Sequence, residues 1–323
     1  MPAMTARNPP TVRYVAIAER DAGQRVDNYL LRTLKGVPRS HVYRLLRSGQ
    51  VRINGGRVKP DRKLQAGDQL RLPPVVATAA SQPRRAPDEL LQRVRAAVCH
   101  EDEHFLVLNK PPDLPVHGGS GVAYGLIEVL RQARPQDAFL ELGHRLDRET
   151  SGCLVVARSR AALTALHAAL REGRAEKLYR VLLVGAWQGS AREVDEALAK
   201  NRGQGGERKV QTAADGRAAR SRFIPGQVLR LPGGIALSLM QVRIYTGRTH
   251  QIRVHAAHLQ HPVAGDGKYG DFEVNRRLRE WGLKRMFLHA ESLSADLPVL
   301  GRRLAVRAPL AADLQAFLDR IGG

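Results

Sequence analysis

The chain has 323 residues, of which 43% are hydrophobic, enough to bury one large core and one small one and to exclude a globally disordered polymer. Its 52 Lys and Arg stand against 31 Asp and Glu, a net charge of +21. Such a field attracts polyanions, nucleic acid first, because neutralised phosphates release counterions. The two cysteines, Cys99 and Cys153, lie in apolar runs, and no apolar stretch approaches a bilayer span, so a disulfide scaffold and a transmembrane helix are excluded.

Residues 1–12 are proline-bearing and read as a flexible tail, and MPAMTARNPPTVRY has no apolar signal core, so the expected location is the reducing cytoplasm. Residues 13–76 read as a compact module. Val26, Tyr29, Leu30 and Leu34 keep helical spacing. A second helix starts near Pro38 and Ser40 and carries Val42, Leu45 and Leu46 on one face. VRING reads as a strand ending in an Asn-Gly turn, and Gly67-Asp68 turns into the alternating QLRLP. Between Gly23 and Pro73 twelve cations face three aspartates, a net of +9, and many sit on or beside the second helix, among them Arg39, Arg44, Arg47 and Arg52. A positive face this dense is either a phosphate-binding surface or a solvated helix face. The order helix, RSGQVRING, strand, AGD resembles the small RNA-binding module of ribosomal small-subunit protein four.

Residues 77–90 are rich in Ala, Pro and Ser and read as a linker to a second domain over 91–323. There FLVLNK, CLVVARS, KLYRVLLVG and IALSLMQVRI read as strands alternating with helices, notably 161–171 and the C-terminus. The fold class expected is α+β, an antiparallel-rich mixed sheet with a small N-terminal α/β module. Residues 200–222 carry seven cations and two anions in a glycine-rich text, and read either as a basic hairpin arm or as a surface insertion.

Two segments carry chemistry. In HRLDRETSG, one carboxylate, Asp147, stands among His144, Arg145 and Arg148, and cations this close favour its ionised form. That makes it either a nucleophile or base, or the acid of a salt-bridged turn. In YTGRTHQIRVHAAHLQHPVAGDGKYGD, Arg248 and Arg253 lie five apart, and so do His250 and His255. With His258 and His261 these histidines raise a metal reading, but neither a nearby Cys nor an H-E-x-x-H accompanies them, so no metal is expected.

Together with LNKPPDLPVHGGSG, EKLYRVLLVG and FLHAESL, these segments give five motifs in order, closely similar to the RluA family of pseudouridine synthases. QRVDNYLLRTLKGVPRS, VHGGSG and the FLHA block look most like family members acting on large-subunit ribosomal RNA. The resemblance implies an isomerase that breaks the N-glycosidic bond of a uridine, turns the bound base and rejoins it through carbon five. It implies Asp147 as the essential carboxylate and Tyr179 as the residue that stacks on the base. Arg253 is the implied ion-pair partner of Asp147, with Arg248 as the competing choice. Leu288 lines the base pocket or belongs to the core. The target must be flipped out of folded RNA, with Arg145 filling its place and His144 in support. Arg248, His250 and the module's Arg39, Arg44, Arg47 and Arg52 are the expected RNA contacts. No cofactor is implied, and a monomer is expected. A methyltransferase would need a glycine-rich turn after an early strand, whereas HGGSGVAYG follows a proline-rich loop. A non-catalytic RNA binder fits the module alone.

Overall fold

The computed structural model describes residues 11–34, 37, 39–75, 85–118, 124–202 and 208–322. The chain divides into two compact units, the first ending at Arg85 and the second running from Ala86 to Gly323. Among the described residues no helix is long and apolar enough to cross a membrane.

The first unit runs β1 (Arg13–Ala16), α1 (Val26–Thr33), α2 (Arg39–Arg47), β2 (Arg52–Ile53), β3 (Gly56–Arg57) and β4 (Gln69–Leu72). Its strands pair in the order β1-β4-β2-β3. The helical spacing read from the sequence turns Val26, Leu30, Val42, Leu45 and Leu46 onto Val51, Ile53, Leu70 and Leu72. β2 and β3 are joined by Asn54-Gly55, both with positive φ (50° and 81°), as a two-residue hairpin turn of the right twist requires. Asp27, buried at the head of α1, accepts from Arg25 and from the Tyr43 hydroxyl, which ties α1 to α2.

The second unit opens with α3 (Asp88–Ala96), β5 (Val98–Glu101), β6 (Phe105–Lys110), α4 (Leu126–Ala133), β7 (Glu141–Leu142), β8 (Ser151–Ala157), α5 (Arg160–Arg171) and β9 (Ala175–Val184). It continues with β10 (Arg192–Asp195), β11 (Leu198–Arg202), β12 (Arg208–Thr212), β13 (Arg220–Leu231), β14 (Ile235–Ile244), α6 (Gln251–His258), α7 (Phe272–Glu280), β15 (Leu288–Leu297), β16 (Arg302–Arg307) and α8 (Ala312–Gly322). The helix α3 begins inside the stretch read as linker: Pro87 stands at its N-cap and Asp88 and Glu89 fill the first turn, where acids favour the helix dipole.

Among the described residues one ten-stranded sheet dominates, in the order β10-β13-β14-β9-β15-β8-β6-β5, with β16 on β15 and β7 on β8. β6 and β8 are buried along nearly their whole length, so they read as apolar runs rather than alternations. β11 and β12 pair antiparallel as a separate two-stranded ribbon, so the described parts of 200–222 contribute to that ribbon and to the start of β13. The pairings are antiparallel except for β15 with β8, where His289 and Ala290 face Ser151 and Gly152. This parallel seam sets the start of β15 beside the loop that enters β8.

Gly152 makes the seam possible. Its φ is 108°, and a Cβ there would lie 2.2 Å from the Ala290 carbonyl oxygen. Gly152→Ala is expected to cost at least about 2 kcal/mol by backbone strain and steric overlap. Urea unfolding followed by the fluorescence of Trp187 and Trp281, both in the second unit, measures it; an unchanged midpoint would refute the seam's need for glycine.

Candidate active site

The loop from Gly143 to Thr150 is held from several sides. Gly143 N–H donates to Val155 O (2.8 Å), and Val155 N–H donates to His144 Nε2 (3.1 Å). Leu146 is buried in the core. Lys110, paired across from Gly152 and fully buried, donates through Nζ to the carbonyls of Pro111, Leu114 and Arg148 at 2.8, 3.0 and 3.0 Å. Arg148 Nε donates to Asp113 O. With Leu146 anchored inward and Arg148 strapped on the far side, Asp147 is presented half-buried between them. Among the described residues its carboxylate makes no hydrogen bond and no ion pair.

The opposite wall follows β14. Gln251, nearly fully buried, accepts from the Thr246 hydroxyl (2.7 Å) and the Arg248 N–H (3.0 Å), and donates to Arg220 O and Ser221 Oγ, both at 2.9 Å. That one amide fixes the turn from Thr246 to Gln251 ahead of α6. His250 takes a left-handed conformation (φ 56°) uncommon for a residue with a side chain, and its Nδ1 bonds the Tyr269 hydroxyl at 2.8 Å.

A cavity of about 340 Å³ lies between these walls, lined among others by Asp147, Tyr179, Leu288, Ile244, Arg145, Lys177, Arg248, His250 and Arg253. It spans neighbouring strands: Asp147 precedes β8, Leu288 opens β15, Tyr179 is on β9 and Ile244 ends β14. Residues from four distant stretches of sequence therefore converge because the sheet order places β8, β15, β9 and β14 side by side.

The electrostatics assign different states to the lining groups. The charge of Asp147 acts on Lys110, Tyr179, His250 and Arg253. Burial, then the nearby Asp147 carboxylate, pushes the Tyr179 phenol above its ordinary value, so the ring stays protonated. Burial pulls the Lys110 ammonium down to about 7 and the Lys177 ammonium down to about 8. His144 is lowered to about 3 by burial and then by Lys177, so its imidazole is neutral, consistent with its Nε2 accepting a backbone N–H.

The structure corrects one expectation. Arg253 is not ion-paired to Asp147. Its Nε and Nη2 donate to Asp266 Oδ2 and Oδ1, both at 2.7 Å, and Nη2 also stands 3.3 Å from Glu149. A planar fork takes a bidentate carboxylate, and the 266–269 turn that follows α6 supplies one whose Oδ1 already accepts the N–H groups of Lys268 and Tyr269. Burial opposes the charge on both Arg253 and Asp266, but their mutual bonding outweighs it and holds the guanidinium high and the carboxyl low. His144, expected to support Arg145 at the RNA, lines the cavity and braces the loop as a neutral imidazole.

The other expected residues are distributed as follows. Arg145 is exposed at the cavity and bonds nothing among the described residues. Arg248 is exposed and donates from Nε to Ala218 O (3.0 Å). Arg44, Arg47 and Arg52 are exposed on the first unit, Arg52 also donating to Gly49 O, while the side chain of Arg39 lies outside the described part of the chain. The histidines do not converge. His255 bonds Ser221 Oγ and Glu196 O, His261 bonds Val184 O, and among the described residues no cluster is placed to hold a metal. Sequence reading missed Lys110, Lys177, Glu149 and Tyr269, and gave Asp266 no part beside Arg253. A lysine inside an apolar strand such as FLVLNK was the available signal for Lys110.

Comparison with known proteins agrees with this arrangement. Residues 104–258 match the family described as RNA pseudouridylate synthase, and residues 24–70 match the S4 domain. The chain is 45% identical over 317 residues to "Ribosomal large subunit pseudouridine synthase C" of Escherichia coli strain K12, covering 97% of each protein. It is 44% identical over 311 residues to the protein of the same name from Pasteurella multocida, covering 96% of this chain and 94% of that one. Among solved structures, "Human RNA Pseudouridylate Synthase Domain Containing 4" superimposes with a TM-score of 0.57 at 26% identity, covering 73% of this chain and 96% of that one. With near-complete coverage at this identity, and with an S4 domain ahead of the catalytic unit, the chain belongs to the RluA family of RNA pseudouridine synthases.

Proposed function

We propose that this enzyme converts uridines of large-subunit ribosomal RNA to pseudouridine in the cytoplasm, with Asp147 as the reacting carboxylate. The observation that carries the reading is the free state of that carboxylate. Half-buried in a cavity lined by cations, it spends none of its lone pairs on the described residues, while Arg253 beside it is engaged by Asp266 and Glu149. A carboxylate that the protein leaves unengaged in a pocket is available to attack or to take a proton.

The uridine enters flipped from its stack, and Arg145, exposed at the cavity and bonded to nothing among the described residues, takes the vacated place. The base lies between Tyr179 and Leu288. Asp147 then either attacks the substrate or removes a ribose proton; both routes start from the same anion. The bond from C1′ to N1 breaks, the base turns, C1′ bonds to C5, N1 gains a proton and the C5 proton leaves to solvent. The phenol of Tyr179, kept protonated by burial, supports the turning base by stacking rather than as a phenolate. The unpaired thiols Cys99 and Cys153 suit a reducing compartment.

Because carbon five loses its hydrogen, tritium release from transcripts made with [5-³H]uridine reads the reaction. Release is expected from large-subunit RNA. Release from small-subunit or transfer RNA alone would overturn the substrate class, and none from any RNA would overturn the activity.

The S4 unit holds the RNA backbone through Arg44 and Arg47. Each phosphate contact contributes about 0.7–0.9 to the slope of log affinity against log salt. The double variant Arg44→Ala/Arg47→Ala in the full chain is therefore expected to flatten that slope by about 1.4–1.8. Filter binding across a salt series measures it, and an unchanged slope would remove these arginines from the RNA surface.

A further inference from the structure

We propose that Lys177 is the subsite for the phosphate on the 5′ side of the flipped uridine. The inference rests on the reading of the cavity as a uridine site and extends it to a group that the reaction scheme leaves unused.

Lys177 precedes Tyr179 by two residues on β9, so strand alternation puts both side chains on one face, and both line the cavity. The ammonium lies against the backbone of Gly247, where a Cβ would be 3.4 Å from Nζ. Among the described residues it makes no hydrogen bond and no ion pair. Its neighbours are otherwise occupied. Glu176 pairs with Arg243 (3.4 Å), and the Nε2 of His144 takes the Val155 N–H. The buried cations elsewhere around the cavity are satisfied: Lys110 by three carbonyls, Arg253 by Asp266. Lys177 is thus a half-buried charge without a bonded counter-charge among the described residues.

Such a charge is costly unless something pairs with it. Burial already moves it toward the neutral form, at about 8. The substrate brings one anion per nucleotide, and an ammonium pairs with phosphate as a point charge. Ribose stereochemistry chooses which phosphate. The base and the C5′ arm leave the same face of the sugar, whereas the 3′ oxygen leaves the other. A cation about 7 Å along the strand from the ring that stacks the base therefore meets the 5′ phosphate.

A contact made only in the flipped complex affects the rate more than overall RNA affinity. Lys177→Met is expected to lower the single-turnover rate about 10- to 100-fold, the usual worth of a charge-assisted bond, with RNA affinity within about threefold. Lys177→Arg is expected to recover most of the rate. The decisive substrate carries one neutral methylphosphonate 5′ to the target, with a 2′-O-methyl on the preceding ribose. The same RNA with a charged phosphate is the reference. Wild type is expected to lose the same factor on the neutral linkage, and Lys177→Met to lose nothing further. Tolerance of the neutral linkage by wild type, or its full loss recurring in Lys177→Met, would overturn the subsite whatever the variant's stability. Failure of wild type to turn over the charged reference would instead overturn the uridine-site reading itself.

Discussion

Asp147→Asn is expected to lower isomerisation by about four orders of magnitude or more, the usual consequence of removing the reacting group of an active site. The substitution keeps the size of the side chain and removes its charge. The Gly143–Thr150 loop should survive it, because that loop is fixed by Val155, Lys110, Leu146 and Arg148 and not by the Asp147 carboxylate. RNA affinity is expected to stay within about twofold, since binding is dominated by phosphate contacts distributed over the basic surface. Single-turnover tritium release and filter binding on the same preparations separate the two quantities. Loss of both together would mean that Asp147 holds RNA rather than reacting with it.

Asp266→Ala is expected to destabilise the second unit by about 3–5 kcal/mol, because it strands the Arg253 guanidinium in a buried site. Asp266 is fully buried and serves the Arg253 fork as well as the N–H groups of Lys268 and Tyr269. Tyr269 in turn carries the His250 imidazole and the Val210 N–H, so the β11–β12 ribbon and the turn before α6 share this support. Turnover is expected to fall with stability. The pH dependence has a definite sign. The folded Asp266 carboxyl is held below its ordinary value, so its contribution is present above the ordinary carboxylate range and is lost as pH falls through the lowered folded value. Urea midpoints read by tryptophan fluorescence at neutral and acidic pH test both statements. A variant as stable as wild type at neutral pH would show that water or Glu149 replaces Asp266 without cost.

Local signals carried most of the fold. The spacing of Val26, Leu30, Val42 and Leu45, the Asn54-Gly55 turn, and the apolar runs of β6, β8, β9 and β14 are near-neighbour patterns, and the elements form where the patterns lie. The boundary near residue 90 was misjudged because Ala-Pro-Asp-Glu reads equally as linker and as helix start; the burial of Leu91 and Val94 decides for helix. The seam between β8 and β15 joins residues 138 positions apart, as in the Ser151–His289 bond, and nothing local announces such a register. The site was legible in part. Motif resemblance named Asp147, Tyr179 and Leu288, which the fold gathers in one cavity. It also paired Arg253 with the wrong carboxylate, because charge complementarity in a sequence does not say which acid the folded turn will offer. Lys110 and Lys177 were passed over for a related reason. A lysine in a strand reads as a solvated charge until tertiary packing buries it.

The claim on which the rest depends is that Asp147 reacts with uridine in large-subunit RNA. Pseudouridine mapping across that RNA, purified from cells lacking this gene and incubated with wild type or Asp147→Asn, tests it most directly. New pseudouridines at discrete positions with wild type, and none with Asp147→Asn, are the expected result. New pseudouridines at the same positions with both proteins would contradict it, and would move the chemistry to another group in the cavity.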